Sequence, residues 1–205
     1  MLFVLTGRIQ VGKTRWLEGL AGDLVAAGVP VRGVLAPGDW VASDGPRADA
    51  HGFEKRGIDQ VLLPQGERIP FARRRDLAEA AGIADAASQS AQAQLGWAID
   101  DAALAHVNAH LASLAPLADA SGVAPGLLVV DELGRLELEC GGGLVEALAL
   151  LDRGPRPAWP HALAVARDRL ADRAAERLGA AWGGARAIAP DEASRSAVLA
   201  AFSLA

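Results

Sequence analysis

Residues 7–14, GRIQVGKT, place two glycines, a lysine and a threonine at the spacing G-x-x-x-x-G-K-T. Glycines let the backbone curl so that its N–H groups point to one centre, and a loop of this kind that opens a helix favours an anion there. The lysine ammonium can reach the β- and γ-phosphates of a nucleotide, and the threonine hydroxyl can ligate Mg²⁺. The spacing therefore predicts a loop that binds a nucleoside triphosphate, with Mg²⁺ as cofactor.

The lysine of this loop stands out, because only Lys13 and Lys55 among the 20 basic residues are lysines. Arginine replaces lysine on most solvated surfaces, but not where a compact ammonium must fit a small pocket. We therefore expect Lys13 to contact phosphate and to take part in catalysis. The expected nucleotide-binding residues are the loop and the residue after it, namely Gly7, Arg8, Ile9, Gln10, Val11, Gly12, Lys13, Thr14 and Arg15.

Two consecutive acids, Asp131 and Glu132, end a continuous apolar run in GLLVVDELG, residues 126–134. An aspartate at the end of a buried strand can hold the hydration shell of Mg²⁺, so Thr14 and Asp131 are the expected metal residues. Glu132 is the second expected catalytic residue, because it could orient or deprotonate an attacking water. The alternative is that both acids merely end a strand in solvent, and the phosphate loop upstream favours the metal interpretation.

The elements that must position these residues alternate along the chain. Apolar runs typical of buried strands occupy residues 2–7, 29–37, the start of 126–139, 161–167 and 185–190. Helical patterns occupy residues 13–28, 100–120, 142–152, 168–179 and 191–202. The remaining segments are an irregular excursion over 38–56, a hairpin about PQGE over 58–74, and a mobile loop or loose helix over 76–95. This pattern predicts a single α/β domain over residues 1–205, with a mostly parallel sheet, helices on both faces and a β-hairpin excursion.

The composition limits the classes of function. Apolar residues make up 51% of the chain, enough for a sizeable core, and the net charge of −5 argues against general nucleic-acid binding. The first residues lack the basic segment of a signal peptide, and no stretch approaches the roughly 20 apolar residues of a membrane span. The single cysteine, Cys140, permits no intrachain disulfide. We expect a cytoplasmic protein without a membrane partner.

The motifs GRIQVGKT and VVDELGRLEL together resemble the nucleoside-triphosphatase family of P-loop NTPases, sometimes called cancer-related nucleoside-triphosphatases. That family has an Asp-Glu-(Ile/Leu)-Gly-x-(Met/Leu)-Glu segment at the end of a strand, which is similar to DELGRLE at residues 131–137. Residues 31–37, VRGVLAP, the hairpin with GERIPFARR and residues 96–111 are also similar to it. The resemblance implies a three-layer P-loop NTPase fold and Mg²⁺-dependent hydrolysis of nucleoside triphosphates, with broad nucleotide choice.

Other classes of protein share these motifs. A kinase for a small molecule or a nucleotide would use the arginines of residues 67–76 as a lid. A nucleotide-gated accessory protein would hydrolyse GTP slowly in a cofactor or transport pathway. The Asn-Lys-x-Asp motif typical of guanine-specific proteins is absent, which weakens strict GTP specificity. Residues 187–194 lie where P-loop folds often hold the base.

Several other residues could bind ligands, but an ordinary structural role explains each of them as well. His106 and His110 are four residues apart on a predicted helix and could bind a metal, but a solvated helix face is the favoured interpretation. The arginines of residues 73–75 could supply charge to a transferred phosphate, although a solvated basic patch is favoured. Trp40 and Trp97 could stack on a base, although packing is the favoured role of both.

Overall fold

Nine strands form one mixed sheet in the computed structural model, which describes residues 1–204. The strands are β1 (Leu2–Leu5), β2 (Val31–Leu35), β3 (Gly38–Ala42), β4 (Phe53–Leu63), β5 (Glu67–Arg74), β6 (Trp97–Ile99), β7 (Leu127–Leu133), β8 (His161–Ala166) and β9 (Ala185–Ile188). Their spatial order is β6-β5-β4-β2-β7-β8-β1-β9, and β3 pairs with β4 outside that path. The predicted α/β class is confirmed, with a parallel block of strands that an antiparallel block extends.

Helices cover both faces of the sheet. They are α1 (Lys13–Ala26), α2 (Arg75–Ala80), α3 (Gln89–Gln92), α4 (Asp101–Leu114), α5 (Val145–Asp152), α6 (Asp168–Trp182) and α7 (Glu192–Ala201). α1 and α7 pack on one face, and α4, α5 and α6 pack on the other. Within residues 1–204, no helix combines the length and the apolar character needed to cross a membrane.

The first strand shows why its apolar run is continuous. Phe3 and Leu5 pack in the cluster beneath α1 and α7, whereas Leu2 and Val4 pack in the cluster with α4, α5 and α6. Successive side chains of a strand point to opposite faces, so a strand that is covered on both faces must be apolar at every position. All four residues are fully buried, which confirms the strand predicted at the start of the chain.

The parallel block, in the order β2-β7-β8-β1-β9, sets the position of the two sequence motifs. Its strands all end at the same edge of the sheet, so residues 6–12 after β1 lie at the edge where Asp131 and Glu132 end β7. Because β8 lies between β1 and β7, the loop and the acids are two strand spacings apart, roughly 10 Å. Arg167 and Asp168 follow β8 and lie in that interval.

The antiparallel block departs from the sequence prediction. Residues 38–56, predicted to be irregular, contain β3 and the start of β4, which pair with each other. The prediction was wrong because the turn-forming residues of this segment collect over 43–52 and leave β-prone residues such as Trp40 free to pair. The hairpin predicted over 58–74 is confirmed, with β4 and β5 joined at residues 64–66.

Residues 76–95, predicted to be a mobile loop or a loose helix, hold most of α2 and all of α3, with hydrogen-bonded turns between them. The Arg75 guanidinium donates to the carbonyl oxygens of Leu95 at 2.6 Å and Trp97 at 3.2 Å. These bonds tie the segment to the strand that follows it. Hydrophobic periodicity carries no signal of such side-chain-to-backbone bonds, so the sequence prediction could not include them.

Gly33 lies where the backbones of β2 and β7 approach each other closely, and its substitution tests that packing. Its φ of +116° favours glycine, and a Cβ there would overlap the Val129 carbonyl oxygen. We expect Gly33→Ala to lower the free energy of unfolding by at least about 3 kcal/mol, because backbone strain and steric overlap add. A Cβ at Gly22 in α1 meets nothing within 4 Å, so Gly22→Ala is the control and should stabilise by about 0.5–1 kcal/mol. Urea unfolding compares the two variants, and equal stabilities would contradict the packing.

Candidate functional site

The predicted phosphate loop joins the end of β1 to the start of α1. Gln10 has a φ of +62° and Gly12 a φ of +91°, so the turn into the helix runs through left-handed backbone. Gly12 precedes the helix, and no side chain among residues 1–204 caps it there. The N–H groups of the first helical turn have no acceptor within the helix. They and the positive end of the helix dipole are therefore available to an anion.

Lys13 lies within this loop. Its Nζ donates to the Gly7 carbonyl oxygen at 2.6 Å and to the Arg8 carbonyl oxygen at 2.9 Å. Burial lowers the pKa of the Lys13 ammonium, and the nearby carboxylates of Asp168 and Glu132 oppose that change. The loop thus holds a compact positive charge through carbonyl oxygens, which phosphate oxygens could replace.

Asp131 is only 1% exposed, at the end of β7. Its Oδ2 accepts a hydrogen bond from the Ala36 N–H at 2.9 Å, and its carboxyl interacts with the Thr14 hydroxyl. Burial raises the pKa of the Asp131 carboxyl to about 6, and the Glu132 carboxylate adds to the rise, whereas the Ala36 N–H, the nearby Thr14 hydroxyl and the Lys55 charge oppose it. The two expected metal residues, Thr14 and Asp131, are therefore adjacent in space.

This pair of oxygen donors fits Mg²⁺. The ion prefers oxygen ligands, and at nucleotide sites it takes one or two from the protein and the rest from phosphates and water. Thr14 and Asp131 supply such oxygens beside the phosphate loop. Within residues 1–204, no group of three or more His, Cys, Asp or Glu side chains could hold a metal ion.

The register between β7 and β8 shifts at the acid pair, where Asp131 and Glu132 lie opposite Val165 alone. The φ of Glu132 is +76°, which is uncommon for a residue other than glycine. A bulge re-aims the side chains at its position, and strained backbone of this kind clusters at functional sites. The carboxyl of Asp131 meets the start of α1, whereas that of Glu132 meets the end of β8.

Two residues after β8 complete the site, and the sequence analysis missed both. Arg167 donates from Nη2 at 2.5 Å and from Nε at 3.1 Å to the same oxygen, Oε1 of Glu132. Asp168 accepts a hydrogen bond from the Thr6 hydroxyl at 3.1 Å. A signal was present in the sequence, because Arg167 and Asp168 directly follow an apolar strand in the same way as the two acids do.

Lys55 on β4 is a further residue that the sequence analysis did not place in the site. Burial lowers the pKa of its ammonium, against the opposing effect of the Glu132 and Asp131 carboxylates. The ammonium lies 5.4 Å from the centre of the Trp97 ring. Both lysines of the chain therefore lie close enough to the acid pair to interact with it. The scarcity argument that singled out Lys13 applied equally to Lys55.

Most of the other residues expected to bind nucleotide have exposed side chains, namely Arg8, Ile9, Gln10 and Val11 in the loop and Arg15 in α1. Residues 187–194 lie beside the loop, because the Trp16 Nε1–H donates to the Asp191 carbonyl oxygen at 3.0 Å.

The histidine pair of α4 does not form a metal site. His106 is exposed, and its Nε2 lies 3.5 Å from Glu67 Oε1. His110 is buried, and its Nε2 lies 3.2 Å from the Gly33 carbonyl oxygen on β2. The two rings thus have separate partners. The favoured interpretation of a solvated face holds for His106 and is wrong for His110, which packs against the sheet.

The buried Asp131 carboxyl makes stability depend on pH. Its folded pKa of about 6 exceeds the unfolded value of 3.8, so the folded state binds more protons between these values and stability falls as pH rises through that window. Asparagine does not titrate. We expect Asp131→Asn in metal-free buffer to gain stability over the native chain as pH rises to about 6, reaching up to about 3 kcal/mol at pH 7–8.

Urea unfolding at several pH values measures this difference. Asp172→Asn, at an exposed position of α6, controls for the substitution itself. If the free energy of unfolding depended on pH in the same way in the native chain and in Asp131→Asn, a raised pKa for the buried Asp131 carboxyl would be contradicted.

Comparison with known proteins finds no relative of this chain. No protein-family model matches the chain, and neither a curated protein nor a solved structure matches it. The family resemblance of the two nucleotide motifs therefore stays a prediction from the sequence. The functional assignment depends on the arrangement at the strand ends.

Proposed function

We propose that the protein is a Mg²⁺-dependent hydrolase that converts nucleoside triphosphates, ATP or GTP or both, to diphosphate and phosphate. The observation that carries this proposal is the meeting of two distant motifs at one edge of the sheet. Asp131 reaches the Thr14 hydroxyl from β7, while Lys13 and Glu132 flank the same space. In this proposal Lys13 contacts phosphate, Thr14 and Asp131 hold the metal ion, and Glu132 positions the attacking water.

The loop and the start of α1 bind the β- and γ-phosphates. Backbone N–H groups of the uncapped first turn donate to phosphate oxygens, and the helix dipole favours their negative charge. Lys13 exchanges the carbonyl oxygens of Gly7 and Arg8 for phosphate oxygens. Its charge then stabilises the negative charge that spreads over the γ-phosphate oxygens during transfer.

Thr14 and Asp131 are the residues that would hold Mg²⁺. When bound, the ion neutralises charge on the β- and γ-phosphates and so favours departure of the diphosphate. The Ala36 N–H keeps the Asp131 carboxyl in place through its Oδ2. The carboxyl is thus fixed before a ligand arrives.

Glu132 positions the attacking water. Both contacts from Arg167 fall on Oε1, and among residues 1–204 the Oε2 atom has no hydrogen-bond partner. Arg167 therefore sets the direction of the carboxylate and leaves Oε2 to accept a hydrogen bond from water. The water oxygen attacks the γ-phosphorus, the bond to the bridging oxygen breaks, and the water proton leaves through Glu132.

A kinase for a small acceptor has less support. Of the four arginines of residues 67–76 that would form its lid, Arg68, Arg74 and Arg75 are engaged elsewhere, Arg68 with Asp59. Arg74 pairs with Glu54 and Asp76, and Arg75 donates to backbone carbonyl oxygens. Turnover without any added acceptor separates a hydrolase from a kinase.

Phosphate release from Mg-ATP and Mg-GTP, with no acceptor added, tests the proposed activity. We expect turnover by the native chain, and a fall of about 10²-fold or more in Lys13→Ala, which corresponds to roughly 3 kcal/mol of transition-state stabilisation. Lys13→Arg keeps the charge but not the compact shape and should also fall. Arg186→Ala removes an exposed charge from β9 and is the control. Normal turnover in a folded Lys13→Ala protein would reject the phosphate-loop assignment.

Glu132→Gln separates water positioning from nucleotide binding. Glutamine keeps the size but loses the charge, so we expect nucleotide affinity to persist while single-turnover hydrolysis falls about 10²-fold or more. Glu139→Gln is the matched control, because Glu139 also pairs with an arginine, Arg135, but lies away from the strand ends. Equal loss of affinity and hydrolysis would make Glu132 a metal or structural residue. Unchanged hydrolysis would assign the water to another group.

A further inference from the structure

A cavity of about 300 Å³ adjoins the acid pair on the side of the sheet that carries α4, α5 and α6. Glu132 and Arg167 contribute to its wall, so it borders the proposed water-positioning pair. Much of the remaining lining is apolar, and includes Ile58, Phe71, Ile99, Leu144 and Leu170. This volume falls at the lower end of the range for small-molecule sites and suits a compact organic molecule.

One polar side chain in this apolar wall lacks a partner. Gln60 on β4 is 2% exposed and lines the cavity. Its Oε1 makes no hydrogen bond within residues 1–204. Buried polar groups are almost always satisfied, and an unsatisfied one costs free energy. A small rotation of this amide toward the cavity would expose Oε1, and a ligand N–H or O–H would then supply the missing bond.

The charged part of the lining is mainly basic. Arg135, Arg167 and Arg169 contribute three guanidinium groups. Two of them already have acidic partners, Glu139 for Arg135 and Glu132 for Arg167, and Glu137 accepts from two backbone N–H groups. Arg169 is exposed and has no ion pair within residues 1–204. An anionic group on a ligand would therefore find a partner at this side of the cavity.

Residues 94–97 form part of the rim of the cavity, and hydrogen bonds hold their backbone in place. Gln94 has a φ of +52°, a left-handed conformation for a residue with a side chain. Arg75 holds the carbonyl oxygens of Leu95 and Trp97 on either side of Gly96. Strained backbone held by specific hydrogen bonds is typical of ligand sites.

We propose that this cavity binds a small organic anion with an apolar body that donates a hydrogen bond to Gln60. The anionic group lies among Arg135, Arg167 and Arg169, and the apolar body lies against the apolar wall. Occupancy slows nucleotide hydrolysis, because the anion draws Arg167 away from Glu132 and releases the carboxylate from its fixed direction. This second part rests on the proposed hydrolase function, whereas the binding site itself does not.

Indole-3-carboxylate is a suitable probe, because it has an apolar body and carries one N–H donor and one carboxylate. Titration calorimetry of the full chain without nucleotide should detect its binding. We expect 1-methylindole-3-carboxylate, which lacks the donor, and indole-3-carboxamide, which lacks the charge, each to bind about tenfold more weakly. No binding of indole-3-carboxylate at millimolar concentration, or equal binding of the three probes, would overturn the site.

Two variants assign these preferences to residues. Gln60→Leu should remove the preference for the N–H probe, and Arg169→Gln should reduce the preference for the acid over the amide. A variant that only disturbs the fold would weaken all three probes together and leave their ratios unchanged. Arg173→Gln, one turn further along α6, is the control and should keep both preferences. Native ratios in Gln60→Leu and Arg169→Gln would overturn the proposal.

The coupling is measured by phosphate release at saturating Mg-ATP with and without saturating indole-3-carboxylate. We expect turnover to fall severalfold in the native chain, and we expect Gln60→Leu to need about tenfold more probe for half of its maximal fall. Unchanged or faster turnover with the probe bound would overturn the coupling. Probe binding by a chain that hydrolyses no nucleotide would instead refute the proposed function and leave the site standing.

Discussion

The burial of the Asp131 carboxyl is the constraint on which the rest of the site depends. A carboxylate out of water is costly unless hydrogen bonds and opposite charge compensate. The Ala36 N–H donates a hydrogen bond to the carboxyl and the Thr14 hydroxyl lies close to it, so the end of β2 and the start of α1 must both approach the end of β7. Lys55 supplies part of the opposite charge. The negative charge of Asp131 that remains uncompensated would attract a divalent cation. Burial of this carboxylate therefore lowers the stability of the ligand-free protein and favours binding of the proposed Mg²⁺.

The bulge in β7 allows two consecutive acids to serve two different elements. In a regular strand, Asp131 and Glu132 would point to opposite faces of the sheet. The register shift and the left-handed backbone at Glu132 keep both near the strand end, one at α1 and the other at Arg167. The insertion of β8 between β1 and β7 then places Arg167 between the phosphate loop and the acids. Metal binding and water positioning can thus be separate tasks of adjacent residues.

The sequence predicts those parts of the molecule whose signal is local. A continuous apolar run predicts each central strand, and the loop spacing together with the acid pair predicts Lys13, Thr14, Asp131 and Glu132 as neighbours. Contacts between elements that are distant in sequence have no local signal. The pairing of Arg167 with Glu132 requires the strand order, and the approach of Lys55 requires that β4 extend the sheet beside β2. β3, the start of β4 and β6 were missed for a related reason, because the side-chain pattern of an antiparallel strand depends on which neighbours cover it.

The proposed function requires Lys13, Thr14 and Asp131 to surround a Mg²⁺-triphosphate. A crystal structure of the chain with Mg²⁺ and a non-hydrolysable ATP analogue would show whether they do. We expect Lys13 Nζ to leave the Gly7 and Arg8 carbonyl oxygens for the β- and γ-phosphates. We also expect Mg²⁺ at about 2.0–2.1 Å from the Thr14 hydroxyl, with Asp131 contacting the ion or its water. A triphosphate bound elsewhere, with Lys13 still donating to those two carbonyl oxygens, would contradict the proposed function.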